Sequence, residues 1–243
     1  YPLAISELFE QNSPIIQEKI DELLIYGNYP KGYISPNSKD KEEELRELVE
    51  SYLYKDILEF EGIRNTKKIK DLLILLAFQV GSEVSLREMG SNLDLHTDTV
   101  AKYLDLLEKV FVIFNLRGFS RNLRKEITKT SKYFFYDTGI RNALINNFNP
   151  MKLRDDKGKL WENFCIIERK KYLEYNRIFA NHYFWRTYDQ KEIDLIEERE
   201  GKLFAYEFKY SSKRIKQPKE FLQTYPKSEF KAINTNNLSD FVY

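Results

Sequence analysis

The sequence predicts a mixed α+β protein, and three observations predict it. Apolar residues recur at helical spacing between residues 3 and 110 and again between about 158 and 175. Two pairs of short apolar or alternating segments, 110–116 with 132–136 and 192–197 with 203–209, read as strands. Turn-rich breaks, above all Gly27–Pro36 and the polar Glu198-Arg199-Glu200-Gly201-Lys202, separate these stretches.

Residues 3–27 read as helix, with Ile5, Leu8 and Phe9 first and Pro14 opening a second turn that carries Ile16, Ile20, Leu23 and Leu24. A second helix is expected from about Asp40 to Phe60, with Leu45, Leu48, Val49, Tyr52, Leu53, Ile57 and Phe60 as its apolar stripe. Residues 66–137 have the order of a winged helix. Lys68–Val80 is an apolar helix. Ser85-Leu-Arg-Glu88 is a capping box for a short helix through about Asn92. The turn Asp94–Thr97 leads to a third helix, Asp98–Val110, whose Val100, Leu104, Leu107 and Val110 face inward. Thr97, Thr99, Lys102 and Tyr103 are left near its exposed start, the part that enters the DNA major groove in helix-turn-helix proteins. Strands Val110–Leu116 and Lys132–Tyr136 then flank a basic loop.

The net charge of +1 hides an uneven distribution. Residues 40–61 hold nine acids against three bases. Residues 117–132 hold Arg117, Arg121, Arg124, Lys125, Lys129 and Lys132 against Glu126 alone. A basic wing suits phosphate contacts, while a winged helix used only for protein contacts remains open.

Composition excludes several classes. The longest unbroken apolar run is Leu72–Phe78, far short of a membrane span, and the start carries neither a basic region nor a long apolar stretch that would make a signal peptide. A single cysteine, Cys165, excludes an internal disulfide and points to a reducing, cytoplasmic compartment. His96 and His182 lie far apart in sequence, which excludes a Cys/His zinc cluster.

The chemistry-bearing stretch is Glu192-Ile-Asp194 with Glu207-Phe-Lys209. Strand alternation points Glu207 and Lys209 one way, and Phe204, Tyr206 and Phe208 the other. A simple hairpin register lets Asp194 face the charged pair. Two carboxylates close together repel, and a divalent cation such as Mg²⁺ relieves them with oxygen ligands. The plain alternative is a surface hairpin with a salt bridge to Lys209.

This spacing resembles the D…ExK signature of the PD-(D/E)xK phosphodiesterase superfamily, the fold of many restriction enzymes. The resemblance implies that Asp194 and Glu207, with Glu162 from the preceding helix 158–175, hold Mg²⁺, and that Lys209 positions or activates water. More broadly, Tyr1-Pro-Leu-Ala-Ile-Ser-Glu, Tyr26-Gly-Asn-Tyr-Pro30, Tyr52-Leu-Tyr-Lys-Asp-Ile57, Thr99–Glu108, Lys132–Gly139, Trp161-Glu-Asn-Phe164 and Trp185-Arg-Thr187 resemble the C-terminal half of a prokaryotic AAA+-type ATPase family. The resemblance implies a helical, lid-like segment 1–36, a helical and winged-helix domain 37–150, and a restriction-endonuclease-like α/β domain 151–243. The helix-turn-helix order and the basic loop point to DNA as partner, through Thr97, Thr99, Lys102, Arg117, Arg121, Arg124, Lys125 and Lys129, and the resemblance implies the protein's own P-loop ATPase core as a further partner. No GxxxxGK[ST] occurs, so this stretch is expected neither to bind nor to hydrolyse ATP. Two functions stay open: a Mg²⁺-dependent DNA phosphodiesterase, and a non-catalytic DNA-binding or assembly module with an inactive nuclease fold. Self-association as a homo-oligomer is also left open.

Overall fold

Proline and small polar residues start the first helices. The computed structural model describes residues 2–53, 66–120, 131–187, 191–211 and 215–243. After a short α1 (Ile5–Leu8), Pro14 opens α2 (Pro14–Tyr26), where its missing N–H costs nothing. The expected break at Gly27–Pro36 contains a five-residue helix, α3 (Pro30–Ile34), again opened by a proline whose fixed φ suits a first helical position. Helix α4 (Ser38–Glu47) starts where the Asn37 side chain accepts the Asp40 N–H at 3.0 Å, and it runs into a π-helical stretch, Leu48–Leu53. The remainder of the helix expected to Phe60 lies outside the described residues.

Helix α5 (Thr66–Phe78), strand β1 (Glu83–Val84), helices α6 (Leu86–Leu93) and α7 (Thr97–Lys109), and strands β2 (Ile113–Gly118) and β3 (Ser131–Phe135) follow in that order. The Ser85 hydroxyl accepts the Glu88 N–H at 3.3 Å, which is the serine half of the expected capping box. Val100, Leu104 and Leu107 are buried as the spacing predicts. Tyr103, expected at the exposed start of α7, is buried too. It lies three residues after Val100 and four before Leu107, so it falls on their stripe. Strand β3 pairs antiparallel with β1 and with β2.

Helix α8 (Thr138–Leu144), a 3₁₀ turn (Met151–Leu153) and the long α9 (Lys157–Tyr175) lead into β4 (Asn181–Arg186), β5 (Glu192–Arg199), β6 (Lys202–Phe208), α10 (Lys219–Thr224), β7 (Glu229–Ile233) and α11 (Ser239–Val242). The turn between β5 and β6 is shorter than the polar run 198–202 suggests. Only Glu200 (φ 51°) and Gly201 (φ 72°) turn, both left-handed, as a two-residue type I′ hairpin requires. Arg199 and Lys202 pair within the ladder.

The seven strands among the described residues form one sheet in the order β1-β3-β2-β4-β5-β6-β7. The β2/β4 and β6/β7 pairs are parallel and the rest antiparallel. The sheet therefore runs from the 37–150 region into the 151–243 region, through Arg117 opposite Tyr183 and Gly118 opposite Phe184. Trp161, Phe164 and Ile167 of α9 share a core with Tyr206 and Phe208 on one face. Phe221 of α10 covers the other face with Trp185, Ile193, Ile196, Leu203 and Ala205. Strand β6 thus alternates as expected, with Glu207 in the parity of Leu203 and Ala205.

Buried polar contacts fasten the N-terminal helices to this body. Glu168 of α9 accepts the Ile5 N–H at 2.7 Å, the Asn28 amide at 3.2 Å and the Lys171 ammonium at 2.6 Å. Lys171 also donates to the Leu3 carbonyl at 3.0 Å. The Asp137 carboxylate accepts N–H groups from Asn28 (2.7 Å) and Ile140 (2.9 Å). The Asn163 amide both donates to and accepts from the Phe135 backbone, at 2.7 and 2.8 Å, which fixes α9 to β3. The motifs Tyr26–Pro30, Tyr136–Gly139 and Trp161–Phe164 therefore meet in one place, and their role there is to hold the fold.

Candidate functional site

A bulge in β5 shapes the centre. Tyr183 pairs with Ile196 but Trp185 pairs with Ile193, so Asp194 and Leu195 together oppose one residue of β4. The Asp194 carboxylate then accepts the Phe208 N–H at 2.7 Å, just where the β5–β6 ladder stops at Leu195 and Tyr206. Glu207 and Lys209, on and just beyond β6, pair with each other at 2.8 Å. Glu162 comes from the second turn of α9.

A further lysine completes the group. Lys132 is the second residue of the apolar strand β3, and its side chain is 4% exposed. It lies 3.4 Å from Glu162 and pairs closely with Glu192 at the start of β5. Lys132 was counted with the basic run 117–132, yet it faces inward to carboxylates and not outward to phosphate. Around it, Lys159 pairs with Ser82 and Arg186 with Glu83. A side chain at Gly81 would sit 3.1 Å from Glu162 Oε2.

The electrostatics show which groups feel one another. Burial pushes the Glu162 carboxyl up to about 7; Lys132 pulls it down and Glu192 pushes it further up. Burial, then the charges of Glu162 and Glu207, hold Asp194 well above the usual carboxylate range. Burial opposes the Lys132 ammonium, but Glu162 and Glu192 outweigh it and its pKa is raised. Lys209 is likewise raised by Glu207 against burial. Burial, then nearby Glu168 and Asp194, push the enclosed Cys165 thiol far up, which makes it a poor nucleophile. Burial holds His182 down at about 4, so its ring is neutral at neutral pH.

Glu162 carries a pH prediction. A carboxyl raised from 4.5 to about 7 on folding stabilises the protein below pH 4.5, and that contribution is lost as pH rises through about 7. The loss is at most about 3 kcal/mol. Urea unfolding at pH 5 and pH 8 should show wild type losing more stability across this window than Glu162→Gln. Equal losses would assign the titration to another group.

All-oxygen donors suit a hard cation such as Mg²⁺. Among the described residues, no three His, Cys, Asp or Glu side chains stand close enough together to hold a metal ion. The cation beside Glu162 is Lys132. Sequence reasoning missed Lys132 and Glu192 as members of this group. The available signal was a lysine heading an otherwise apolar strand, since a charge in that place needs a partner.

On the other side of the sheet's first strands, Thr97 and Lys102 of α7 and Arg117 of β2 are exposed, and Thr99 is half-buried. Arg121, Arg124, Lys125 and Lys129 lie outside the described residues. No helix among the described residues is long and apolar enough to cross a membrane.

The chain is similar to an uncharacterised protein of Mycobacterium tuberculosis, 26% identical over 195 residues, which covers 79% of this chain and 43% of the relative. An uncharacterised Haemophilus influenzae protein is 25% identical over 209 residues, covering 81% of this chain and 48% of the relative. A Methanocaldococcus jannaschii protein, also uncharacterised, is 25% identical over 167 residues, covering 66% of this chain and 36% of the relative. The chain thus spans less than half the length of these relatives. No solved structure matches it. The model of a domain of unknown function, DUF4143, matches residues 157–240. A second model matches residues 17–151, more than half of the chain, and on that match the chain belongs to the family described as a domain of unknown function, DUF8612.

Proposed function

We propose that this chain is a DNA-binding region of a P-loop ATPase, joined to a nuclease-type domain that serves assembly and not cleavage. The observation that carries the DNA reading is the order α5-β1-α6-α7-β2-β3, which is that of a winged helix. It leaves Thr97 and Lys102 exposed at the start of α7 and Arg117 exposed beside the basic loop. The relatives' greater length leaves room for an ATPase core in those longer proteins. The ion-paired centre supports an assembly role, because Lys132 ties β3 to α9 and β5 where an enzyme of this type needs a free carboxylate site.

Salt-dependent DNA binding tests this reading. Replacing Arg121, Arg124 and Lys125 with alanine should weaken binding and flatten the salt slope by roughly two to three units. Equal slopes would remove the wing from the interface.

A second reading, a Mg²⁺-dependent DNA phosphodiesterase, is favoured by the order α9, β4, the Asp194 strand, the Glu207–Lys209 strand and α10, and by the mutual influence of Glu162, Asp194 and Glu207. In it the three carboxylates would hold the metal and Lys209 would position water. The same preparation with Mg²⁺ or Mn²⁺ then nicks DNA, and Asp194→Asn or Lys209→Ala loses at least about a hundredfold. Nicking that persists in both variants, or no nicking at all, sets this reading aside.

A further inference from the structure

Among the carboxylates of this centre stands a buried lysine, paired with Glu162 and Glu192. We propose that Lys132 is the resident cation of this centre, standing where a divalent ion would otherwise balance the carboxylates, so that the native chain excludes Mg²⁺ from Glu162. The inference rests on reading α9 to β7 as a D…ExK domain.

Three observations carry it. The Lys132 side chain is almost wholly buried, and its ammonium touches both Glu162 and Glu192. It lies 5.2 Å from the centre of the Phe184 ring, so one side is closed by an aromatic face, while Gly81 backs Glu162. Its backbone is held on both sides, opposite Glu83 in β1 and Leu116 in β2, so the strand that carries the lysine is interior and its Cα is fixed beside the carboxylates. A divalent ion at Glu162 would meet this ammonium at contact distance in a poorly solvated place, where like charges repel strongly. Without the ammonium, Glu162 and Glu192 would lose the cation they share, and two carboxylates with water completing the shell suffice for a hard cation such as Mg²⁺.

The test is Mn²⁺ titration of the full chain, followed by electron paramagnetic resonance, with Mg²⁺-dependent melting as a second readout. Wild type should show no saturable Mn²⁺ site that depends on Glu162. Lys132→Met should gain one site, with apparent affinity at least about tenfold tighter than wild type, and should melt higher with Mg²⁺ present. Lys132→Met/Glu162→Gln should lose both gains. If Lys132→Met is unfolded alone, Mg²⁺ should restore the folded state, and failure to do so overturns the proposal. So does a wild-type Mn²⁺ site that disappears in Glu162→Gln, or a Lys132→Met that folds and binds no better than wild type. DNA binding is a separate measurement: its loss would sink the DNA reading and leave the Lys132 result standing.

Discussion

Gly139→Ala should be among the most damaging single substitutions in this chain, lowering stability by about 3 kcal/mol or more. Gly139 is buried at the start of α8, and an added methyl would fall inside the van der Waals envelope of the Tyr26 carbonyl oxygen. That oxygen is backbone at the end of α2, so it cannot rotate aside as a side chain would. Asp137, which caps α8 through the Ile140 N–H, crowds the same methyl. Relief would need α2 and α8 to separate, and Asn142 would then lose its bonds to the Leu24 and Ile25 carbonyls. For a chain of 243 residues the melting temperature should fall by roughly 6–12 °C. Gly158→Ala is the control. A methyl there meets nothing, and within α9 it should raise stability by about 0.5–1 kcal/mol. Equal, small effects at both positions would show that the Tyr26–Gly139 contact is loose.

Lys171→Met should cost about 3–5 kcal/mol. Lys171 and Glu168 are each 2% exposed, so removing the ammonium strands a buried carboxylate. The carboxylate keeps the Ile5 N–H and the Asn28 amide, which are neutral donors and do not balance its charge. Lys171→Met/Glu168→Leu should fall short of the sum of the two single losses by more than about 1 kcal/mol. Additivity within error would show the two charges to be independently solvated, contrary to their burial.

The parts of the fold that were legible in the sequence are those set by neighbouring residues. The helical stretch expected from 158 to about 175 matches α9 almost to the residue, and the Ser85 capping box marks the start of α6. The alternation of β6 was also legible, because it depends only on a period of two. The width of the 198–202 turn was not, because whether Arg199 and Lys202 pair or turn depends on strand twist and not on their polarity. Helix α3 was hidden for a similar reason: Gly32 and the flanking turn residues outweigh Pro30 in a local reading, while in the fold Gly32 is buried within the helix. Asp194, Glu207 and Lys209 were found because they lie within one hairpin. Lys132 was not, since its partners Glu162 and Glu192 stand thirty and sixty residues away and only the folded sheet brings them together.

The short parallel pair between β2 and β4 has a consequence for dividing this protein. A gene cut between residues 150 and 151 would give two products, each with an interior strand turned into an open border: β2 in the first, β4 in the second. Such borders present rows of unsatisfied amides and carbonyls and recruit other chains. The first product would also lose the Glu168 and Asn163 side chains that receive Ile5 and Phe135. The halves are therefore expected to be sticky apart and to recombine when co-expressed. The boundary that looks natural in the sequence is thus a poor place to cut.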